Sequence, residues 1–279
     1  MTTEVRVERA LPIGEYHAHK SLGSTDLKTL EQSAHVFRLL RDGEKTRPDT
    51  ASLALGRLWH TLLDLTPEVF GERSVVVPNK FCLASGGVST KKEAKEFLAS
   101  LPDEAIPVTP EASEQLGRML DLFQANAAAW DIYENLAHQE VSIFWEWGGV
   151  AVKCRPDAIT GEGVLVDWKS TSEANPLADF GRSVRKFGYG LSAALYEEGC
   201  RVAGLASPPM HFVVTSTTSF ETQVLTLPPA YTANCRDRLL DLLSEYVERE
   251  ESNNWMPNGY GEINEIEMWG YGKQMERVL

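Results

Sequence analysis

The fold is decided by the stretch Lys153-Cys-Arg-Pro-Asp-Ala-Ile-Thr-Gly-Glu-Gly-Val-Leu-Val-Asp-Trp-Lys-Ser-Thr171. Asp157 lies in an Arg-Pro-Asp turn, and the short apolar run 164–166 leads into Asp167-Trp-Lys169. Residues i and i+2 of a strand share a face, so Asp167 and Lys169 should point toward whatever Asp157 presents from the neighbouring strand. Carboxylate oxygens suit hard cations such as Mg²⁺, and a nearby lysine can orient water or stabilise charge on a phosphate. The stretch therefore predicts metal-dependent cleavage of a phosphodiester bond.

The apolar pattern predicts helices in the first half of the chain and strands around the quoted stretch. The expected helices are 24–40, 52–65, 91–101, one within 110–135, 183–199 and 230–249, and the expected strands are 74–77, 140–147, 150–157, 164–169, 211–216 and 222–226. Gly148 and Gly149 are expected to form a hairpin turn in the core sheet. These elements predict an α/β fold, with a mixed central sheet flanked by helices and a helical N-terminal half. Residues 1–20 are expected to be extended or disordered, and residues 21–279 to form a single domain.

Several segments around this core together resemble the PD-(D/E)XK nuclease superfamily. Within it, the chain resembles the nuclease domain of the RecE-like exonucleases (exodeoxyribonuclease VIII) of phages and prophages, along most of its length. The matching segments are the opening-helix pattern 21–30 with 33–37, the Gly-x-x-x-His segment 56–60, the strand 140–145, the helix 188–196, and the closing 255–260 with two residues inserted. The chain departs from the family at Ser192, where Gln is usual in a Gln-x-x-x-Tyr pattern, and at Ala34, where Pro is usual.

The resemblance implies a set of site residues. The quoted stretch supplies Asp157 and Asp167 as metal ligands and Lys169 as the group that positions water or neutralises charge. The family match adds Glu140 as a third carboxylate, His60 at the metal site and Tyr196 near the DNA or the reaction centre. Without the match, His60 on its apolar helix would be interpreted as a hydrogen-bonded core residue.

Contacts to DNA phosphates are expected from basic side chains near these elements. Arg155 lies two residues before Asp157, on the same strand face. Tyr189 precedes Tyr196 by seven residues and can share its helix face. Two basic clusters flank the predicted site and are expected to contact the DNA backbone: Lys91 with Lys92, and Arg182 with Arg185 and Lys186.

Composition favours a globular cytoplasmic protein. The 279 residues are 43% hydrophobic and 24% charged. No apolar run approaches the roughly 18 residues of a membrane span, and the first residues contain no apolar signal core. The four cysteines Cys82, Cys154, Cys200 and Cys235 are far apart, which predicts separate reduced thiols and argues against the iron–sulfur branch of the superfamily.

The net charge of −13 is unusual for a protein that binds DNA. A closed ring would direct basic residues into a channel and leave acidic helices outside, so we expect a homo-oligomer. The resemblance implies a ring, such as a tetramer, that acts on double-stranded DNA ends together with a RecT-like single-strand annealing protein.

The leading hypothesis is a Mg²⁺-dependent exonuclease, with Mn²⁺ able to substitute. The resemblance alone implies 5′→3′ degradation of linear duplex DNA, which leaves a single strand for annealing and recombination. Two alternatives stay open: a CRISPR-associated-type or structure-specific nuclease of the same superfamily, and a non-catalytic module that binds DNA ends. A non-catalytic module would be expected to have lost a metal carboxylate or the lysine, and this chain retains both.

Overall fold

The computed structural model describes residues 5–46, 50–84, 86–257 and 259–263. The strands are β1 (Arg6–Glu8), β2 (Ser74–Val76), β3 (Ile106–Val108), β4 (Leu136–Gln139), β5 (Ser142–Trp147), β6 (Val150–Cys154), β7 (Ala158–Thr160), β8 (Val164–Thr171), β9 (Ser207–Ser216) and β10 (Thr222–Thr226). The helices are α1 (Ile13–Ala18), α2 (Ser24–Gln32), α3 (Ala34–Arg41), α4 (Ala51–Leu65), α5 (Pro67–Arg73), α6 (Lys92–Ala99), α7 (Pro110–Ala125), α8 (Ala127–Glu134), α9 (Pro176–Phe187), α10 (Tyr189–Ala203) and α11 (Pro229–Ser252). The predicted α/β fold with a helical N-terminal half is confirmed.

The central sheet has the strand order β10-β9-β8-β7-β4, with β8 at its middle. Strands β8 and β9 are parallel, and the other neighbouring pairs are antiparallel. The sheet is therefore mixed, as predicted. A second antiparallel sheet has the order β1-β5-β6, and β2 and β3 form a parallel pair.

The expected hairpin 140–157 lies in the small sheet as β5 and β6, which corrects the prediction that its two strands begin the core sheet. Its turn at Gly148 and Gly149 is observed, with φ values of 59° and 77°. Between β4 and β5, Glu140 adopts φ 52° and its N–H donates to the carbonyl of Asp157 at 2.9 Å. Asp157 occupies the matching break between β6 and β7. Both strands of the hairpin thus lie in the small sheet, and the chain on either side of it joins the central sheet through β4 and β7, which were not predicted.

Strand β8 separates two hydrophobic cores. Leu165 packs in the core that contains buried residues of α10 and α11, such as Leu195 and Leu242. Val166 and Trp168 pack in the core formed with α4, α7 and α8. Because the faces alternate along a strand, Asp167 and Lys169 lie on the Leu165 side, toward α10.

The expected helix 24–40 is divided in two by a capping residue, and the range 110–135 holds a second helix after the expected one. Ser33 ends α2 and its hydroxyl accepts from the N–H of Val36 at 3.3 Å, which starts α3. Asn126 does the same between α7 and α8, accepting from the N–H of Ala129 at 3.0 Å. A side chain that bonds the backbone in this way competes with continuation of the helix and favours a new first turn.

The N-terminal segment is more ordered than its sequence predicts. Strand β1 pairs with β5, and α1 buries Tyr16, so the expectation of extended or disordered chain was wrong for Ile13–Ala18. The physical reason is a cation from elsewhere in the chain: Lys153 donates to the carbonyls of Tyr16 and His19 at 2.7 and 2.8 Å. Residues 1–4 of the predicted segment lie outside the described residues.

No helix within the described ranges is both long enough and apolar enough to cross a membrane.

Helix α10 packs so closely on the small sheet that Gly199 has no room for a side chain. A Cβ there would lie 2.5 Å from Cys154 Sγ and 2.8 Å from the Trp145 ring. We expect Gly199→Ala to lower the free energy of unfolding by about 1–3 kcal/mol, because the core must shift to accept the methyl group. Gly181→Ala in α9 is the control: its methyl would meet nothing within 4 Å. Urea unfolding should show this control to be neutral or stabilising by about 0.5–1 kcal/mol.

Candidate active site

Strand β8 brings Asp167 and Lys169 together as the alternation predicts. Lys169 Nζ lies 2.5 Å from Asp167 Oδ2 and donates to the Trp168 carbonyl at 3.3 Å. The two side chains are only 5% and 18% exposed, for Asp167 and Lys169 respectively. Among the described residues, Asp167 Oδ2 has no partner with hydrogen-bond geometry, so its contact with Lys169 is a charge contact by distance. Burial alone would lower the pKa of Lys169, but the charges of Asp167 and Asp157 outweigh it and raise that pKa.

Asp157 projects from the break between β6 and β7 toward this pair. Its Oδ2 accepts from the Trp168 N–H at 2.8 Å and lies 3.7 Å from His60 Nδ1. Burial, followed by the charge of Asp167, raises the pKa of Asp157 well above its usual range. Two buried carboxylates that share one lysine are short of positive charge, so the site favours either a proton or a cation.

His60 reaches the site from α4 because the helix passes close to β8. At Gly56, one turn earlier, a Cβ would lie 3.1 Å from Ser170 Oγ, so a small residue allows the close approach. Burial and the charge of Lys169 lower the pKa of His60 to about 4, although its side chain keeps 30% exposure at the mouth of the site. The imidazole is therefore neutral at pH 7, the form that can accept a bond from water or bind a metal.

Glu140 is held by Arg155. The Arg155 guanidinium donates to Glu140 Oε2 at 2.5 Å, to the Leu11 carbonyl at 2.9 Å and to Ser142 Oγ at 3.0 Å. Arg155 thus ties the N-terminal segment to the carboxylate next to Asp157. Its predicted contact with phosphate stays a prediction, and much of its donor capacity is used within the protein.

Sequence reasoning missed Asp64, which lies one helical turn beyond His60 on α4. Its Oδ1 is buried and has no hydrogen-bond partner in the described part of the chain. Burial, followed by the charge of Glu140, raises the pKa of Asp64 to about 7. The spacing of four residues from His60 places both side chains on one helix face, and this was the signal that could have found it.

Two tyrosines of α10 also face the site. Tyr196 bonds the Ser24 side chain, and burial raises its pKa well above the usual range. The ring centroid of Tyr189 lies 5.4 Å from Lys169 Nζ. Between them, Ser192 is buried and small.

A cleft of ≈ 800 Å³ opens beside Asp157, Glu140 and Tyr196, against α1, α2 and α3. Its basic lining residues are Lys20, Arg38, Arg41, Lys153 and Arg155, and of these only Arg155 was predicted to contact DNA. The other predicted contacts, Lys91, Lys92, Arg182, Arg185 and Lys186, are not among its lining residues. Lys92 is 85% exposed and lies 3.7 Å from Glu96, and Arg182 pairs with Asp179 and Glu173.

The carboxylate oxygens of Asp157 and Asp167 have the chemistry that a divalent cation requires of its ligands. Within the described ranges, no three His, Cys, Asp or Glu side chains are close enough together to hold an ion. The raised pKa of Asp157, a second carboxylate beside the Asp167–Lys169 pair, nevertheless marks a place where positive charge is lacking. Oxygen donors of this kind suit Mg²⁺ or Mn²⁺.

Comparisons with known proteins agree with this architecture. A family model described as a PDDEXK-like domain of unknown function matches residues 23–275. A crystal structure from Eubacterium rectale, described as "Putative exonuclease", is 11% identical with a TM-score of 0.63, and the match covers 93% of this chain and 96% of that one. A Vibrio cholerae protein structure is 14% identical over 90% of this chain and 60% of that chain, but its TM-score of 0.19 is too low to indicate a shared fold. None of the curated proteins matches this chain.

The raised pKa of Asp64 predicts a pH-dependent cost in stability. The folded state keeps a proton on Asp64 up to about pH 7, whereas the unfolded chain releases it near pH 4. The stability linked to this proton is complete below about pH 4 and is lost as the pH rises to about 7. We expect Asp64→Asn to gain about 4 kcal/mol relative to wild type as the pH rises from 4 to 8, measured by urea unfolding without metal. Asp237→Asn, which removes an exposed carboxylate, is the control, and an equal gain there would contradict the prediction.

Proposed function

Because the chain belongs to the family of PDDEXK-like domains, whose model matches residues 23–275, we propose that it is a metal-dependent deoxyribonuclease. The observation that carries the proposal is the convergence of Asp157, Asp167 and Lys169, with Lys169 Nζ 2.5 Å from Asp167 Oδ2. Carboxylates from two strand segments beside one lysine are the groups that phosphodiester hydrolysis requires: oxygen ligands for a cation and a donor for developing negative charge.

Each residue has a distinct role in the proposed reaction. Asp157 and Asp167 would hold the cation, with Glu140 and His60 next to them. When bound, a divalent cation lowers the pKa of water and stabilises charge on the phosphoryl and leaving oxygens. Lys169 directs its ammonium to the attacking water or to a phosphate oxygen. His60 is neutral at pH 7 and therefore adds no competing charge.

The finer assignment follows the resemblance to the RecE-like exonucleases. We propose that the enzyme uses Mg²⁺, with Mn²⁺ as a substitute, and degrades linear duplex DNA from its ends in the 5′→3′ direction. The single strand left behind would be the substrate of a RecT-like annealing protein in recombination. A ring-shaped homo-oligomer, such as the tetramer that the resemblance implies, would keep such an enzyme on its DNA, and light scattering at working concentration tests it. The cytoplasmic location expected from the sequence stays a prediction.

Matched DNA substrates separate the exonuclease from the alternatives. Purified protein with Mg²⁺ is incubated with linear, nicked and closed circular duplex of one sequence, with each strand labelled at one end. We expect only the linear form to be degraded, with early release of the 5′ label, because attack starts at an end. Cleavage of the closed circle would indicate an endonuclease, and binding without cleavage of any form would indicate a non-catalytic module.

The roles of lysine and carboxylate predict different defects. Lys169→Ala should lower kcat by about 10²-fold or more, because a donor to developing charge is lost. It should leave Mn²⁺ affinity equal or tighter, because a competing cation beside Asp167 is removed. Asp157→Asn and Asp167→Asn should each weaken Mn²⁺ binding by about tenfold or more, as well as activity. Calorimetric titration with Mn²⁺ and initial rates measure both quantities.

Lys45→Ala is the matched control for loss of a lysine, because Lys45 is exposed and is not among the residues that line the cleft. Near wild-type cleavage by Lys169→Ala would contradict the assigned chemistry. Unchanged Mn²⁺ affinity in both aspartate variants would move the metal site elsewhere.

A further inference from the structure

The start of α10 is built to place Tyr189 beneath Lys169. Gly188 separates α9 from α10 with φ 63°, a left-handed conformation that favours glycine. A Cβ on Gly188 would also lie 3.0 and 3.1 Å from the aliphatic carbons of Lys28. Both constraints restrict the backbone conformation at Gly188. The next side chain, Tyr189, therefore enters the core in a defined direction.

The Tyr189 ring is fixed on its other sides by aromatic packing. Its centroid lies 5.8 Å from the ring of Phe180, 5.6 Å from Phe187 and 6.2 Å from Phe212. Lys169 Nζ lies 5.4 Å from the Tyr189 centroid. A cation within about 6 Å of a ring face is attracted by its quadrupole, and more strongly where water is excluded.

We propose that Tyr189 is a positioning residue that holds the Lys169 ammonium at the reaction centre through its ring face. The inference rests on the proposed nuclease function. In the structure the ammonium is held on three sides, by the Asp167 carboxylate, the Trp168 carbonyl and the ring. A cation bound to Asp167 would compete for that carboxylate, and the carbonyl and the ring are then the contacts that keep the ammonium in place.

The ring rather than the hydroxyl group performs this role, and that distinction makes the proposal testable. A lysine side chain has several rotatable bonds, and confining it costs conformational entropy. A rigid ring reduces that cost without consuming any of the ammonium's hydrogen-bond donors. Phenylalanine should therefore substitute for Tyr189, whereas leucine, an apolar side chain without the quadrupole, should not.

The first measurement does not depend on activity. Protein with ¹³C-labelled lysine is compared by NMR in wild type, Tyr189→Phe and Tyr189→Leu, with the Lys169 ε-methylene signal assigned by its loss in Lys169→Arg. A ring next to the side chain shifts this signal by its ring current. We expect the shift to persist in Tyr189→Phe and to vanish in Tyr189→Leu. An unchanged signal in Tyr189→Leu would overturn the proposal.

The second measurement is steady-state cleavage of linear duplex with Mg²⁺. Tyr189→Leu should lower kcat about tenfold with little change in KM or in Mn²⁺ affinity, and Tyr189→Phe should recover most of the rate. Phe220→Leu is the matched control: it removes a buried ring with another cation over it, Arg118 Cζ at 4.1 Å from the ring centroid, in the core on the other face of the central sheet, so its kcat should change little. Equal losses in the Phe and Leu variants would assign the effect to the hydroxyl group and overturn the proposal.

The two measurements separate the proposal from the function it rests on. Wild-type cleavage with an unaffected Tyr189→Leu rate overturns the positioning role and leaves the nuclease standing. If the wild-type protein does not cleave DNA, the proposed nuclease function is overturned. The contact between Tyr189 and Lys169 then has no catalytic role, even where the NMR signal of Lys169 changes as expected.

Discussion

Asp167 and Lys169 place two charges in the middle of a strand whose neighbouring side chains are buried. Taking ions out of water is costly, and their mutual attraction compensates only where the geometry is good and the remaining lone pairs are satisfied. Here Asp167 contacts Lys169 at 2.5 Å, and Asp157 adds a second carboxylate whose pKa is raised by burial and by the charge of Asp167. One lysine cannot neutralise both. The unbalanced charge destabilises the folded chain, and a bound cation would relieve it, which links the structure of β8 to the chemistry proposed for it.

Close approaches of the backbone make this arrangement possible. Gly56 lets α4 pass near β8 and deliver His60, and Gly188 turns α9 into α10 and delivers Tyr189. Glu140 accepts a positive φ of 52°, unusual for a residue with a side chain, and its N–H bonds the carbonyl of Asp157. Such conformations persist only where surrounding contacts determine them, and here the Arg155 guanidinium holds the Glu140 side chain. The strained residue and the break in the hairpin expose Asp157 to the cleft.

The parts of the fold that follow a regular period could be predicted from the sequence. Alternation in 164–169 and the apolar face of 52–65 predicted β8 and α4, and the D-x-K spacing brings Asp167 and Lys169 together as expected. The parts that failed depend on distant partners. The order of Ile13–Ala18 depends on Lys153, more than a hundred residues away in the chain, and the hairpin break depends on one backbone bond between Glu140 and Asp157. Asp64 was overlooked because an acid on an amphipathic helix is usually solvated, and only burial beside Glu140 distinguishes it.

The net charge of −13 describes the whole chain and not the cleft. Five basic and five acidic side chains line that cleft, so it contributes little to the excess. Lys153 is only 5% exposed and donates to two backbone carbonyls, which satisfy two of its three ammonium hydrogens without cancelling its charge. Charges on the outer surface are screened beyond a Debye length of about 8 Å at physiological salt, so a phosphate inside the cleft responds mainly to the groups around it. A divalent cation on Asp157 and Asp167 would make that surrounding field positive. The negative net charge of the chain is therefore compatible with DNA binding without a ring. The expected ring rests on family resemblance and on processivity alone.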